Sequence, residues 1–84
     1  VGLFPTGSLV QLNTDEIGVV LKQNPTRRLR PKVVLILDRE GNRHSSLVVI
    51  DLAKYERDGT VADLWITREL EPGSHGIHPD DFFL

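Results

Sequence analysis

Apolar and polar positions alternate along much of this chain with a period of two, the spacing of a half-buried strand. Val10 and Leu12 share one side of a segment over 8–13, with Gln11 and Asn13 on the other. A second strand over 17–23 places Ile17, Val19 and Leu21 on one face and Lys22 on the opposite one. Val33-Val34-Leu35-Ile36-Leu37 is apolar on both faces, which predicts a central third strand over 32–38. The run over 47–52 has the same two-faced character and predicts a fourth strand. A fifth, over 63–70, carries Leu64, Trp65 and Ile66.

Turn residues punctuate these runs. Pro5-Thr6-Gly7 precedes the first strand, and the polar Asn13-Thr14-Asp15-Glu16 links the first two. Asn24-Pro25 ends the second strand, because proline cannot donate to a ladder. Arg39-Glu40-Gly41-Asn42 offers a glycine for a positive φ, Asp58-Gly59 is a further turn signal, and Glu71-Pro72-Gly73 stops the fifth strand. Gly18 stands inside a strand, where a missing side chain marks a bulge, a bend or a closely crossing chain. Pro79 followed by Asp80 and Asp81 suits the start of one helical turn, which would lay Phe82 or Phe83 on the floor of the fold. Five short strands, one bent at glycine, predict an all-β, small SH3-like barrel with a single helical turn at its C-terminal end. The rival five-stranded nucleic-acid-binding barrel commonly carries a helix between its third and fourth strands, and 39–46 is too short for one.

Composition narrows the function. The chain has 84 residues, 39% apolar and 26% charged, which bounds it to one small globular domain with little room for a deep pocket. It has no cysteine, which excludes disulfides, thiol nucleophiles and cysteine zinc sites. No apolar run approaches the roughly 20 residues of a membrane span. The net charge of −2 argues against a general nucleic-acid binder. That charge is unevenly spread: residues 1–50 hold seven basic and four acidic side chains, net +3, and 51–84 hold three and eight, net −5.

The one patch that could bind something is a basic loop. Arg27, Arg28, Arg30 and Lys32 fall within six residues free of acids and bounded by Pro25 and Pro31. Arginine forks match phosphates and carboxylates, so this loop is the candidate ligand- or partner-binding site. It lacks the interleaved aromatics of a single-strand binder. His75 and His78 with Asp80 have the outward look of a metal site, but Gly76 and Pro79 interrupt any regular element that could aim them at one point. Asp80 and Asp81, being adjacent, point apart and cannot flank a scissile bond. No nucleophile motif or phosphate-cradling loop occurs. No catalytic residue, metal ligand or cofactor is expected in this chain.

The order of residues resembles a known family. Gly2-Leu3-Phe4-Pro5-Thr6-Gly7-Ser8-Leu9-Val10-Gln11-Leu12, then Glu16-Ile17-Gly18-Val19-Val20, Gln23-Asn24-Pro25 and Arg30-Pro31-Lys32-Val33 resemble the segment that follows the catalytic core of HD-GYP domain proteins, bacterial cyclic di-GMP phosphodiesterases of the HD superfamily. Ile50-Asp51-Leu52 and Leu70-Glu71-Pro72-Gly73-Ser74-His75-Gly76-Ile77, with Pro79 and Phe83, continue the likeness. Phe4 stands where tyrosine is commoner, and His78 where aspartate would be the better helix cap. The His-Asp metal ligands and Gly-Tyr-Pro motif of the family have no counterpart here, so no catalytic residue carries over. The resemblance implies residues 1–84 as a single accessory domain at the C-terminal end of a longer cytoplasmic protein. Its partner would be the helical catalytic core of that protein, with a homodimer possible and no membrane contact. The apolar Val1-Gly2-Leu3-Phe4 junction motivates packing on that core. The alternative is an independent nucleotide- or nucleic-acid-binding module using loop 27–32, though nucleic acid is not the favoured partner.

Overall fold

The computed structural model describes residues 4–54, 56–57, 60–61 and 64–82. Its strands are β1 (Leu9–Leu12), β2 (Ile17–Lys22), β3 (Lys32–Leu37), β4 (Arg43–Asp51), β5 (Glu56–Arg57), β6 (Thr60–Val61) and β7 (Ile66–Leu70). Five of them form one antiparallel sheet in the order β4-β3-β2-β1-β7, while β5 and β6 pair as a separate small hairpin. The all-β, barrel-like fold is the one the alternation predicts. The Asp58-Gly59 turn, the seats of Phe82 and Phe83, and Val1–Leu3 of the junction concern residues or side chains outside those described.

The period of two sorts the core into two clusters. Val10, Leu12, Val20, Val33 and Leu35 turn to the inner side, where Leu52, Leu64 and Ile66 complete a buried cluster. Leu9, Ile17, Val19, Val34, Ile36 and Leu37 form a second buried cluster with Ile77 from the tail. A sheet apolar on both faces needs a cover on each. Here the inner face is covered by the chain that enters and leaves the small hairpin, and the outer one by the tail. Phe4 packs on the inner cluster, and its carbonyl accepts a hydrogen bond from Gln23 Nε2.

Gly18 occupies the tightest point of the sheet. It lies between Val10 of β1 and Leu35 of β3, and the β2–β3 register slips between Ile17 and Gly18. A Cβ there would stand 2.7 Å from the carbonyl oxygen of Val34. The signal read from the sequence, a bulge or a close approach, is here both. The turn after β3 is also as read: Asp38 Oδ1 accepts from the amides of Glu40 and Asn42, both at 2.9 Å, and Gly41 has φ +85°.

Three elements differ from expectation. β4 is a sheet edge, longer than the predicted 47–52, and exposed along much of its length. Its pairing with β3 jumps from Leu35↔Val48 to Leu37↔Arg43, so four residues of β4 stand against one of β3. Only Val48 and Ile50 of its apolar run pack on the core. β7 begins at Ile66, and the two preceding residues divide: Leu64 is buried, Trp65 exposed. The tail forms two 3-10 turns, Ser74–Gly76 and Pro79–Phe82, the second at the predicted position. Ile77, between them, is buried.

Candidate functional site

The basic loop is held by its own backbone and by one of its arginines. Two successive turns, closed by Arg27 N–H to Asn24 O at 3.1 Å and Arg30 N–H to Arg27 O at 3.0 Å, fold the segment between Asn24 and Arg30. The Asn24 side-chain amide donates to Asp51 Oδ1 at 3.0 Å and to the carbonyl of Arg30, tying the start of the loop to the end of β4. Pro31 is buried, and its carbonyl accepts from Leu52 N–H at 3.2 Å.

The four basic side chains therefore divide. Arg30 Nη1 donates to the carbonyls of Leu52 and Leu64, each at 3.1 Å, so its guanidinium is a strut that joins the loop to the chain on either side of the small hairpin. Lys32 is the first residue of β3, opposite Lys22 on one side and Asp51 on the other, and stands apart from the loop tip. Arg27 and Arg28 are exposed on the braced tip. Sequence reasoning counted charges in this loop and had no signal for the inward course of Arg30.

Two functional candidates escaped that reading. Leu29, between the paired arginines and Arg30, is 57% exposed, and Trp65, directly after the Leu64 carbonyl that Arg30 holds, is 45% exposed. A lone leucine in a charged loop was a readable signal. Trp65 was absorbed into a predicted strand. Its backbone is fixed by Asn13, whose Oδ1 accepts from Trp65 N–H at 2.9 Å and whose N–H donates to Trp65 O at 3.0 Å.

Removing the strut separates structural from exposed charge. Arg30→Ala is expected to cost about 2 kcal/mol, since two partly buried carbonyls lose a charged donor. Arg27→Ala and Arg28→Ala should each stay within about 0.5 kcal/mol of the parent, as exposed substitutions do. Urea midpoints for the three variants check this, with unchanged slopes.

Other clusters are sparse. His75 is exposed in the first 3-10 turn and His78 between the two, and Asp80 and Asp81 are exposed in the second. Among the described residues no three His, Cys, Asp or Glu side chains gather where they could hold a metal ion. A cleft beside the β4 bulge is lined by Leu35, Ile36, Arg43, His44, Ser45, Ser46 and Leu47, and His44 Nε2 is enclosed there with no hydrogen-bond partner among the described residues. Among the described residues no helix is long and apolar enough to cross a membrane.

A family model described as a KOW domain associated with HD domain matches residues 9–70. The match runs from the first residue of β1 to the last of β7 and so takes in every strand. Among curated proteins and solved structures nothing matches. The likeness to a segment that follows an HD-superfamily core, read from Gly18, Gln23-Asn24-Pro25 and Ile50-Asp51-Leu52, agrees with this family. With well over half of its length matched, the chain belongs to the KOW domains associated with HD domains.

Proposed function

We propose that this domain is the non-catalytic accessory domain of a bacterial, cytoplasmic signalling protein similar to HD-GYP cyclic di-GMP phosphodiesterases, and that it packs against the helical core of that protein. The observation that carries the reading is the family match over all seven strands, which associates the domain with an HD domain. The resemblance of Gly2–Leu12, Glu16–Val20, Gln23-Asn24-Pro25 and Leu70–Ile77 to the segment after the HD-GYP core supports the HD-GYP kind. The catalytic chemistry, hydrolysis of the phosphodiester by a metal pair, belongs to the associated core in this reading. The test is hydrolysis of cyclic di-GMP by the longer protein alongside the 84-residue chain. The longer protein is expected to cleave it in the presence of a divalent metal and the chain alone to leave it intact. Cleavage by the chain alone, or none by the longer protein, contradicts the reading.

A second reading is supported by Arg27 and Arg28, two exposed forks on a braced tip: an independent module that binds nucleotide or nucleic acid through loop 27–32. Titration with cyclic di-GMP and with single-stranded RNA at two salt concentrations tests it. Binding that weakens steeply with salt and vanishes in the Arg27→Ala, Arg28→Ala double variant supports this second reading.

A further inference from the structure

We propose that β4 is a homodimer interface: its free edge pairs antiparallel with β4 of a second copy of this chain, with the two-fold axis at Leu47. The inference stands apart from packing on an HD domain and uses no residue of that domain.

The ladder shows which backbone groups are free. Leu52 N–H donates to Pro31 O at 3.2 Å, and the register runs on through Lys32↔Asp51, Val33↔Ile50, Val34↔Val49 and Leu35↔Val48. Hydrogen-bonded pairs alternate along an antiparallel ladder, so Ile50 and Val48 turn their backbone groups to β3 and those of Val49 point away from it. Residues 44–47, in the bulge, have no partner in β3, although the strand continues through them. Among the described residues no strand lies on the other side of β4.

The exposed side chains of this edge share one face. Val49 stands beside Val34 of the outer cluster, and Leu47, two residues away, lines a cleft with Ile36 of the same cluster. Arg43 Nη2 reaches the carbonyl of Gly76, the residue before Ile77, at 3.5 Å. Leu47 is 75% exposed and Val49 46%. An apolar edge of this kind is a template for another strand unless charge guards it. The opposite edge, β7, is guarded by its exposed Thr67, Arg68 and Glu69.

The residue order of β4 selects a second copy as the occupant. With Leu47 on the axis, it meets Leu47 of the other copy, Val49 meets Ser45, and Arg43 meets Asp51 at both ends of the ladder. Opposite charges then face each other twice, and each exposed Leu47 covers its counterpart. Centring the axis on Val49 instead sets Leu47 against the charged Asp51 and carries Arg43 beyond the end of the other β4.

The chain has no cysteine, so disulfide trapping in the 84-residue chain reports the register directly. Leu47→Cys, Val49→Cys and Ser45→Cys are made singly at exposed positions, and Leu29→Cys, exposed in the basic loop, measures random collision. Directly opposed residues lie about 5.5 Å apart, within disulfide reach, whereas the two copies of position 49 are about 13 Å apart along the strands. Mild oxidation is expected to link Leu47→Cys to itself about tenfold faster than Leu29→Cys, because pairing raises the local concentration. Val49→Cys and Ser45→Cys should link to each other in a mixture and not to themselves. Arg43→Glu should slow the linkage at 47, since it faces Asp51 with like charge; Arg39→Glu, the same charge change in the exposed turn before β4, should not. Linkage at 47 no faster than at 29, faster self-linkage at 49 than at 47, or a parent chain that sediments as a monomer at every concentration overturns the inference. Each of those results leaves the HD-domain reading standing.

Discussion

Gly18→Ala will destabilise the domain by about 2–3 kcal/mol, the cost of forcing an extra methyl into a packed interior. The added Cβ meets the Val34 carbonyl oxygen at 2.7 Å, well inside contact distance. That oxygen belongs to the backbone of β3, held between β2 and β4, and cannot swing away as a side chain could. Relief requires the β2–β3 ladder to open at the centre of the sheet, where both apolar clusters meet. For a domain of this size the midpoint of thermal unfolding should fall by about 10–20 °C. Gly41→Ala is the informative control. A Cβ there meets nothing within 4 Å, so only its φ of +85° opposes the change. A single L-residue forced into that region costs about 1–2 kcal/mol. Calorimetry of the two variants should therefore rank Gly18→Ala clearly below Gly41→Ala. Equal midpoints would mean that β2 and β3 do not approach as described.

Ile77→Ala will cost about 2–5 kcal/mol, as truncation of a fully buried isoleucine does. Ile77 is the tail's contribution to the outer cluster, packed with Leu9, Ile17, Val19 and Val34. Its position is set by a closed loop: Gly73 N–H donates to Ile77 O at 2.8 Å, and Ile77 N–H to Ser74 O at 3.0 Å. Gly73, His75 and Gly76 all take positive φ to form that loop, at +91°, +55° and +74°. Losing the side chain uncovers the part of the outer face that Ile77 covers and leaves the loop without its buried side chain. Increased binding of a hydrophobic dye together with a lowered urea midpoint is the expected signature. A variant as stable as the parent would show that the tail does not cover that face.

The sheet was legible where a strand's pattern depends only on its own neighbours. Val33 to Leu37 is apolar on both faces because β3 is central and covered twice, and that is what the run implied. Gly18 was legible because a strand interior has few other uses for glycine. β4 was not, since an apolar run does not say whether a second strand lies beyond it. Leu47 and Val49 read as core while facing solvent at an edge. Ile77 was hidden for a related reason: a single apolar residue among glycines and histidines has no period, and its burial depends on a loop geometry set by three positive-φ positions. In the candidate site the charge of loop 27–32 was visible and its division was not. Whether an arginine points outward or clamps two carbonyls depends on where Leu52 and Leu64 arrive, which only the folded chain determines. The basic loop therefore contains both a structural strut and two exposed charges under one compositional signal.

The proposed contact between this KOW domain and an HD domain is tested most directly by small-angle scattering of a protein that carries both. A single compact particle, with a maximum dimension shorter than that of two tethered beads, is the predicted result. A profile fitted only by a barrel moving independently of the core contradicts it.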